Sequence, residues 1–172
     1  MKLKQLIGFA FLLLFVTSAS VFAQKKKVKS PPMEAKTMVN TAEVTINYGA
    51  PSVRNRTVWG NLVPYDKVWR TGANEATTFT TSKAITVEGK TLPAGKYSLF
   101  TIPQEDGNWT IIFNSVADQW GAYSYSKDKD VLRVDVKAAS NEEVNEMMRF
   151  DISEDGKVAL MWDKLMIPFT IK

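Results

Sequence analysis

The chain has 172 residues and a formal net charge of +4, and it contains neither histidine nor cysteine. These absences exclude serine–histidine and cysteine–histidine nucleophile pairs, zinc bound by histidine or cysteine, and disulfide bonds. The remaining chemistry rests on carboxylates, lysines or a cation held by oxygen ligands. Asp128 and Asp130 lack the spacing of an EF-hand loop, so no metal site and no cofactor is predicted.

The first 23 residues have the pattern of a signal peptide. Lys2 and Lys4 precede an apolar run over residues 6–16, and small residues lead to a cleavage point near Ala23–Gln24. The run is shorter than the roughly 20 residues that span a bilayer. We therefore expect an exported protein, periplasmic or extracellular, without stable membrane insertion after cleavage. An uncleaved membrane anchor is the alternative.

Residues 24–36 are polar, contain prolines and lack periodicity, which predicts a flexible basic linker. Seven of the 22 lysines and arginines lie before Thr37. Residues 37–172 carry 15 basic and 17 acidic groups, which gives this part of the chain a net charge of −2. The basicity therefore belongs to the leader and linker, and no nucleic-acid partner is expected.

Residues 37–172 are predicted to form a single β-sandwich domain. Apolar and polar residues alternate within 44–48, 132–137, 148–153 and 165–171, and glycine-containing turns separate several of the apolar stretches. About eight short strands without a βαβ rhythm predict an all-β antiparallel sandwich, with a jelly roll or barrel as the alternative. The window 141–150 fits either a short helix or a loop leading into a strand.

The alternation stops between residues 48 and 75, which predicts one long irregular loop. Three of the five arginines lie here, although the chain otherwise prefers lysine. Arginine presents a planar fork that binds carboxylates bidentately and stacks on aromatic rings. One interpretation is a structural lid in which Arg70 pairs with Glu75 while Trp59 and Trp69 close the core. The other is a loop that contacts a ligand.

Three long stretches, 48–83, 92–103 and 111–134, closely resemble the family catalogued as Domain of Unknown Function 2911, exported bacterial proteins common in the Bacteroidetes group. The resemblance covers roughly residues 37–172. It implies export and a single domain. It implies no activity and transfers no catalytic residue.

A second loop, residues 117–125, places aromatic rings beside acids and amides, which is the usual equipment for binding a sugar. The same residues could equally fill one end of the sandwich. Together the two loops suggest a non-catalytic binding module for a glycan or another polar small molecule. The predicted ligand-contacting residues are Arg54, Arg56, Trp69, Arg70, Asn74, Glu75, Trp120 and Tyr123.

Two alternatives stay open at this point. A carboxylate-based, glycosidase-like hydrolase would use Glu75 and Asp118 as its acid and base, although no catalytic residue is assigned. A structural or interaction protein of the cell envelope would need neither residue, and the sequence names no protein partner.

Overall fold

The computed structural model describes residues 29–172. The predicted signal peptide and residues 24–28 of the predicted linker lie outside the described residues. One 3₁₀ turn occurs at Lys127–Lys129. The strands, in chain order, are β1 (Pro32–Val39), β2 (Ala42–Gly49), β3 (Thr77–Thr81), β4 (Ile85–Val87), β5 (Lys90–Leu92), β6 (Gly95–Pro103), β7 (Asn108–Asn114), β8 (Asp130–Lys137), β9 (Ala139–Ile152) and β10 (Lys157–Thr170).

Six strands form one antiparallel sheet in the order β1-β2-β3-β6-β7-β8, a meander rather than a jelly roll. The second layer is the long hairpin β9–β10. The small hairpin β4–β5 is attached to the end of β10 by backbone hydrogen bonds between Thr86 and Lys172. The fold is thus the predicted all-β sandwich, and no closed barrel forms within residues 29–172.

The core lies between the two layers, where the alternating apolar side chains meet. Phe79 and Phe113 of the large sheet pack edge to face with their ring centroids 5.1 Å apart, and Trp162 and Ile167 of β10 are also fully buried. The layers are joined by a hydrogen bond from the Phe150 N–H to the Tyr48 hydroxyl oxygen, 3.1 Å long. Burial raises the pKa of the Tyr48 hydroxyl.

The boundary predicted between linker and domain is wrong by five residues. β1 begins at Pro32, and all eight of its residues pair with β2, from Pro32 opposite Gly49 to Val39 opposite Ala42. β1 is one of the two edge strands of the large sheet, and most of its side chains are exposed. Backbone hydrogen bonds hold it more than burial does, so it carries no strong alternating apolar pattern.

The helix considered for residues 141–150 is also wrong, because this window lies within β9. The glutamates that suggested a helix start face solvent on a strand paired with β10. The glycine-containing turns connect strands as predicted. The strands number ten rather than eight, and β9 and β10 are fourteen residues long, with register shifts on both sides of Asp163.

The irregular segment is confirmed: between β2 and β3 the chain forms only isolated bridges. Backbone hydrogen bonds attach this segment to β9 near its start and to β6 near its end. Val53 donates its N–H to the Glu146 carbonyl, and Trp69 and Thr101 exchange both backbone hydrogen bonds. Arg54, Asn55, Asp66, Thr71 and Asn74 all have positive φ. These ties make the segment a structured lid, which presents its side chains in fixed positions.

Among residues 29–172, no helix is long and apolar enough to cross a membrane.

Candidate functional site

Three arginines of the irregular segment line one cavity of about 330 Å³. Lys29 and Ser52 also line it, and Trp69 and Trp162 contribute its aromatic lining. Four of the residues named from the sequence as candidate ligand contacts line this cavity: Arg54, Arg56, Trp69 and Arg70. We name this cavity the arginine pocket.

Backbone carbonyls fix each guanidinium of the arginine pocket. Arg56 donates from Nε to the Val53 carbonyl (2.9 Å) and from Nη2 to the Ser52 carbonyl (2.6 Å). Arg54 donates from Nη2 to the carbonyl of Lys29, and Arg70 donates from Nε to the carbonyl of Gly72 at 3.2 Å. These bonds hold the guanidinium groups in place without neutralising their charge.

No carboxylate neutralises the arginine pocket within the described part of the chain. The five ion pairs found there involve other residues, and Arg70 does not pair with Glu75 as the lid interpretation expected. Glu146 Oε1 accepts the backbone N–H of Arg54 at 3.0 Å but forms no ion pair with its guanidinium. The pocket therefore holds three fixed cations, each with hydrogen-bond donors that have no partner among residues 29–172.

The aromatic wall of the pocket belongs to a cluster of four tryptophans. Trp69 and Trp162 stack with their centroids 5.8 Å apart and their planes 20° from parallel, and Trp59 packs edge to face against both. Trp109 completes the cluster within the core. Trp59 and Trp69 thus close the core, as the lid interpretation expected. The pocket is built on a rigid apolar base, which suits precise placement of polar groups.

Glu75 and Asp118 line a second, open cavity of about 280 Å³, together with Gln119 and Trp120. An antiparallel bridge joins Glu75 to Trp120. Asp118 pairs with Lys96, the Oδ1–Nζ distance being 2.8 Å, and the Asp118 side chain is 85% exposed. We name this cavity the Trp120 pocket. The two candidate carboxylates are therefore neighbours, and the arginines lie in another cavity.

Asn74 and Tyr123 lie outside both pockets. Asn74 lines a third cavity, of about 420 Å³, beside Tyr48 and Met33, and its Nδ2 lies 3.4 Å from the Ser30 carbonyl oxygen. Tyr123 is 84% exposed, and its ring covers Gly121. Sequence reasoning grouped Asn74 with the arginines because it lies near them along the chain, and it chose Tyr123 as an aromatic ring of the second loop.

A buried polar network holds the end of the second loop. Asp130 accepts hydrogen bonds from the Tyr125 hydroxyl (2.7 Å), from Arg133 Nε (2.8 Å) and from Asn114 Nδ2 (2.8 Å). Burial, and then the hydrogen bond to Asp130, raise the pKa of the Tyr125 hydroxyl. The network ties the loop to β7 and β8.

Sequence reasoning missed Lys29, Gln119 and Trp162. Lys29 fell within the predicted linker, and Trp162 lies in a strand that reads as core. Gln119 lies in the second loop, where its amide beside aromatic rings was the only sequence feature that pointed to a polar contact. Among residues 29–172, no group of three or more acidic, histidine or cysteine side chains could hold a metal ion.

Comparison with known proteins identifies a family for this chain. Residues 30–171 match the family described as protein of unknown function (DUF2911). No curated protein and no solved structure matches the chain.

Proposed function

Because the chain belongs to the DUF2911 family, whose description assigns no activity, we propose a function from the geometry: a non-catalytic binding module for a polar small molecule that carries an anionic group. The arginine pocket is the binding site. The observation that carries the proposal is the convergence of Arg54, Arg56 and Arg70 on one cavity. None of the three forms an ion pair with a carboxylate of the described residues.

The pocket favours an anion because its charged side chains are all hydrogen-bond donors. A guanidinium has five N–H groups and no acceptor, and the backbone carbonyls occupy one in Arg54, one in Arg70 and two in Arg56. The remaining donors match the geometry of a carboxylate, phosphate or sulfate, which arginine binds bidentately. Such charge-assisted bonds are about twice as strong as neutral ones.

The pocket favours a small organic ligand because of its size and its aromatic wall. Its volume of about 330 Å³ lies within the roughly 300–1,000 Å³ typical of small-molecule sites. Trp69 and Trp162 supply apolar surface beside the guanidinium groups. A sugar acid or another small carbon skeleton with one anionic group fits this combination.

The hydrolase alternative would rest on Glu75 and Asp118, which line the same pocket. A general acid of this type needs a water-poor, apolar environment to stay protonated near neutral pH. Asp118 is instead 85% exposed and paired with Lys96. This open setting favours binding over catalysis. The appearance of new reducing ends from an added oligosaccharide would instead support the hydrolase alternative.

Calorimetric titration with inorganic phosphate, citrate, glucuronate and uncharged glucose tests the proposal. We expect at least one of the anions to bind while glucose does not bind the arginine pocket. Arg54→Gln and Arg70→Gln should each weaken anion binding by about tenfold or more, because each removes charge-assisted hydrogen bonds worth roughly 1.5–3 kcal/mol. The affinity should also fall with added salt.

Arg149→Gln is the matched control, since it removes the same charge from an exposed arginine that pairs with Asp151 outside the pocket. It should leave anion affinity within about twofold of the wild-type value. Equal weakening by all three substitutions would mean that only net charge matters, and the proposed site would be wrong.

A further inference from the structure

Gln119 lines the Trp120 pocket and carries a buried acceptor that has no donor among residues 29–172. Gln119 is only 8% exposed, and its Nε2 donates to the Val116 carbonyl at 2.7 Å and approaches Asn114 Oδ1 at 3.3 Å. Both partners are acceptors, which fixes the nitrogen on that side. Gln119 Oε1 is buried and has no donor among the described residues. Leaving such an acceptor unpaired costs about 1–3 kcal/mol.

Acceptors predominate among the other polar groups of this pocket, where Thr78 adds a hydroxyl that can both donate and accept. Glu75 and Asp118 contribute carboxylate oxygens beside the Gln119 amide. The Trp120 pocket is therefore rich in acceptors where the arginine pocket is rich in donors, and it favours a ligand that brings hydrogen-bond donors.

Trp120 adds an apolar surface at the rim of this pocket. Its side chain is 62% exposed, although tryptophan usually buries much of its large surface. The backbone on both sides of it is fixed: Ala76 donates its N–H to the Gln119 carbonyl at 2.9 Å, and Gly121 donates to the Asn74 carbonyl at 3.1 Å. The exposed ring is thus held on an ordered loop, available for stacking.

We infer that the Trp120 pocket is a second binding site, which takes the hydroxyl-bearing ring of a neutral sugar. Sugar hydroxyls supply donors to Gln119 Oε1 and Glu75, and the CH face of the ring packs on the indole of Trp120. The site is independent of the proposed anion site, because the arginine pocket shares none of these side chains.

An ammonium ligand also donates hydrogen bonds and stacks on tryptophan. Here Lys96 already lies 2.8 Å from Asp118 Oδ1, so a second cation would meet repulsion beside it and only Glu75 would remain to pair with it. The neutral Gln119 oxygen attracts a cation less strongly than a carboxylate would. The hydroxyl donor is therefore the better match.

Nuclear magnetic resonance of the ¹⁵N-labelled protein tests the inference. The probes are maltotriose, cellotriose, chitotriose and mannotriose, with choline as the cationic comparison. The readouts are the indole N–H signal of Trp120 and the side-chain amide signal of Gln119, assigned with Trp120→Phe and Gln119→Leu. We expect at least one trisaccharide to shift both signals in a saturable way in the millimolar range, and choline to shift neither.

Substitutions separate this site from its alternatives. Gln119→Leu and Trp120→Ala should each weaken sugar binding by about tenfold. Glu75→Gln keeps an acceptor oxygen and should change sugar affinity by less than about threefold, whereas an ammonium ligand would lose far more. Arg54→Gln should leave sugar binding unchanged, so failure of the anion site and failure of this site are distinguishable.

Two outcomes would overturn the inference. In the first, none of the four trisaccharides shifts the two signals, which would mean that none of these sugars donates a hydrogen bond to Gln119 Oε1. In the second, choline alone binds and Glu75→Gln abolishes it. The first outcome is read on the folded wild-type protein alone, so it does not depend on whether a substituted variant folds.

Discussion

Replacing Gly156 by alanine should destabilise the protein by about 2–5 kcal/mol, the sum of a strained backbone and a steric clash. Gly156 has φ +85°, where an L-residue is disfavoured, and a Cβ built there would lie 1.9 Å from the Ile171 carbonyl oxygen. The Gly156 carbonyl also accepts the N–H of Ile171 at 2.8 Å, so the C-terminal end of β10 has little freedom to move away. Urea unfolding measures the loss directly.

Gly107→Ala is the matched control for this substitution. Gly107 has nearly the same φ, +83°, and no atom lies within 4 Å of its added Cβ. Only the backbone strain of about 1–2 kcal/mol should remain. If the two variants lost equal stability, the close approach between Gly156 and Ile171 would be contradicted.

Asp130→Ala should destabilise the protein by about 3–5 kcal/mol, because it removes the acceptor that three neighbouring side chains share. The Asp130 side chain is only 7% exposed and accepts three hydrogen bonds, one of them from the guanidinium of Arg133. Removing the carboxylate leaves the Arg133 charge without its counter-ion and the Tyr125 O–H without its acceptor, although Arg133 Nη2 still donates to the Tyr125 oxygen. Thermal and urea unfolding should report the same loss.

Asp118→Ala is the control for the buried network. Asp118 also pairs with a cation at 2.8 Å, but its side chain is 85% exposed. Exposed pairs of this kind contribute about 0.2–1 kcal/mol. A comparable loss of stability in both variants would show that the burial of Asp130 adds nothing, and the stabilising role of its network would be wrong.

The sandwich was predictable because its signals are local. Val44, Ile46 and Tyr48 alternate with polar residues, and glycine turns mark the hairpins. β1 escaped prediction because an edge strand is held mainly by backbone bonds, which leave little trace in side-chain polarity. β9 was ambiguous because its glutamates face solvent in either a helix or a strand.

The arginine pocket was predictable only in part. The local change from lysine to arginine correctly grouped Arg54, Arg56 and Arg70. Trp162 enters the pocket from β10, more than ninety residues further along the chain, and no local pattern encodes that contact. The separation of Glu75 from the arginines depends on how the loops pair, which sequence spacing does not specify.

The most direct test of the proposed anion site is a titration of the five arginine Nε–Hε signals with whichever anion binds by calorimetry. Arg133 and Arg149 pair with carboxylates outside the arginine pocket and serve as internal controls. We predict that the signals of Arg54, Arg56 and Arg70 shift together along one saturable isotherm while the two controls stay in place. Uniform shifts in all five signals, or none in the three pocket arginines, would contradict the proposed site.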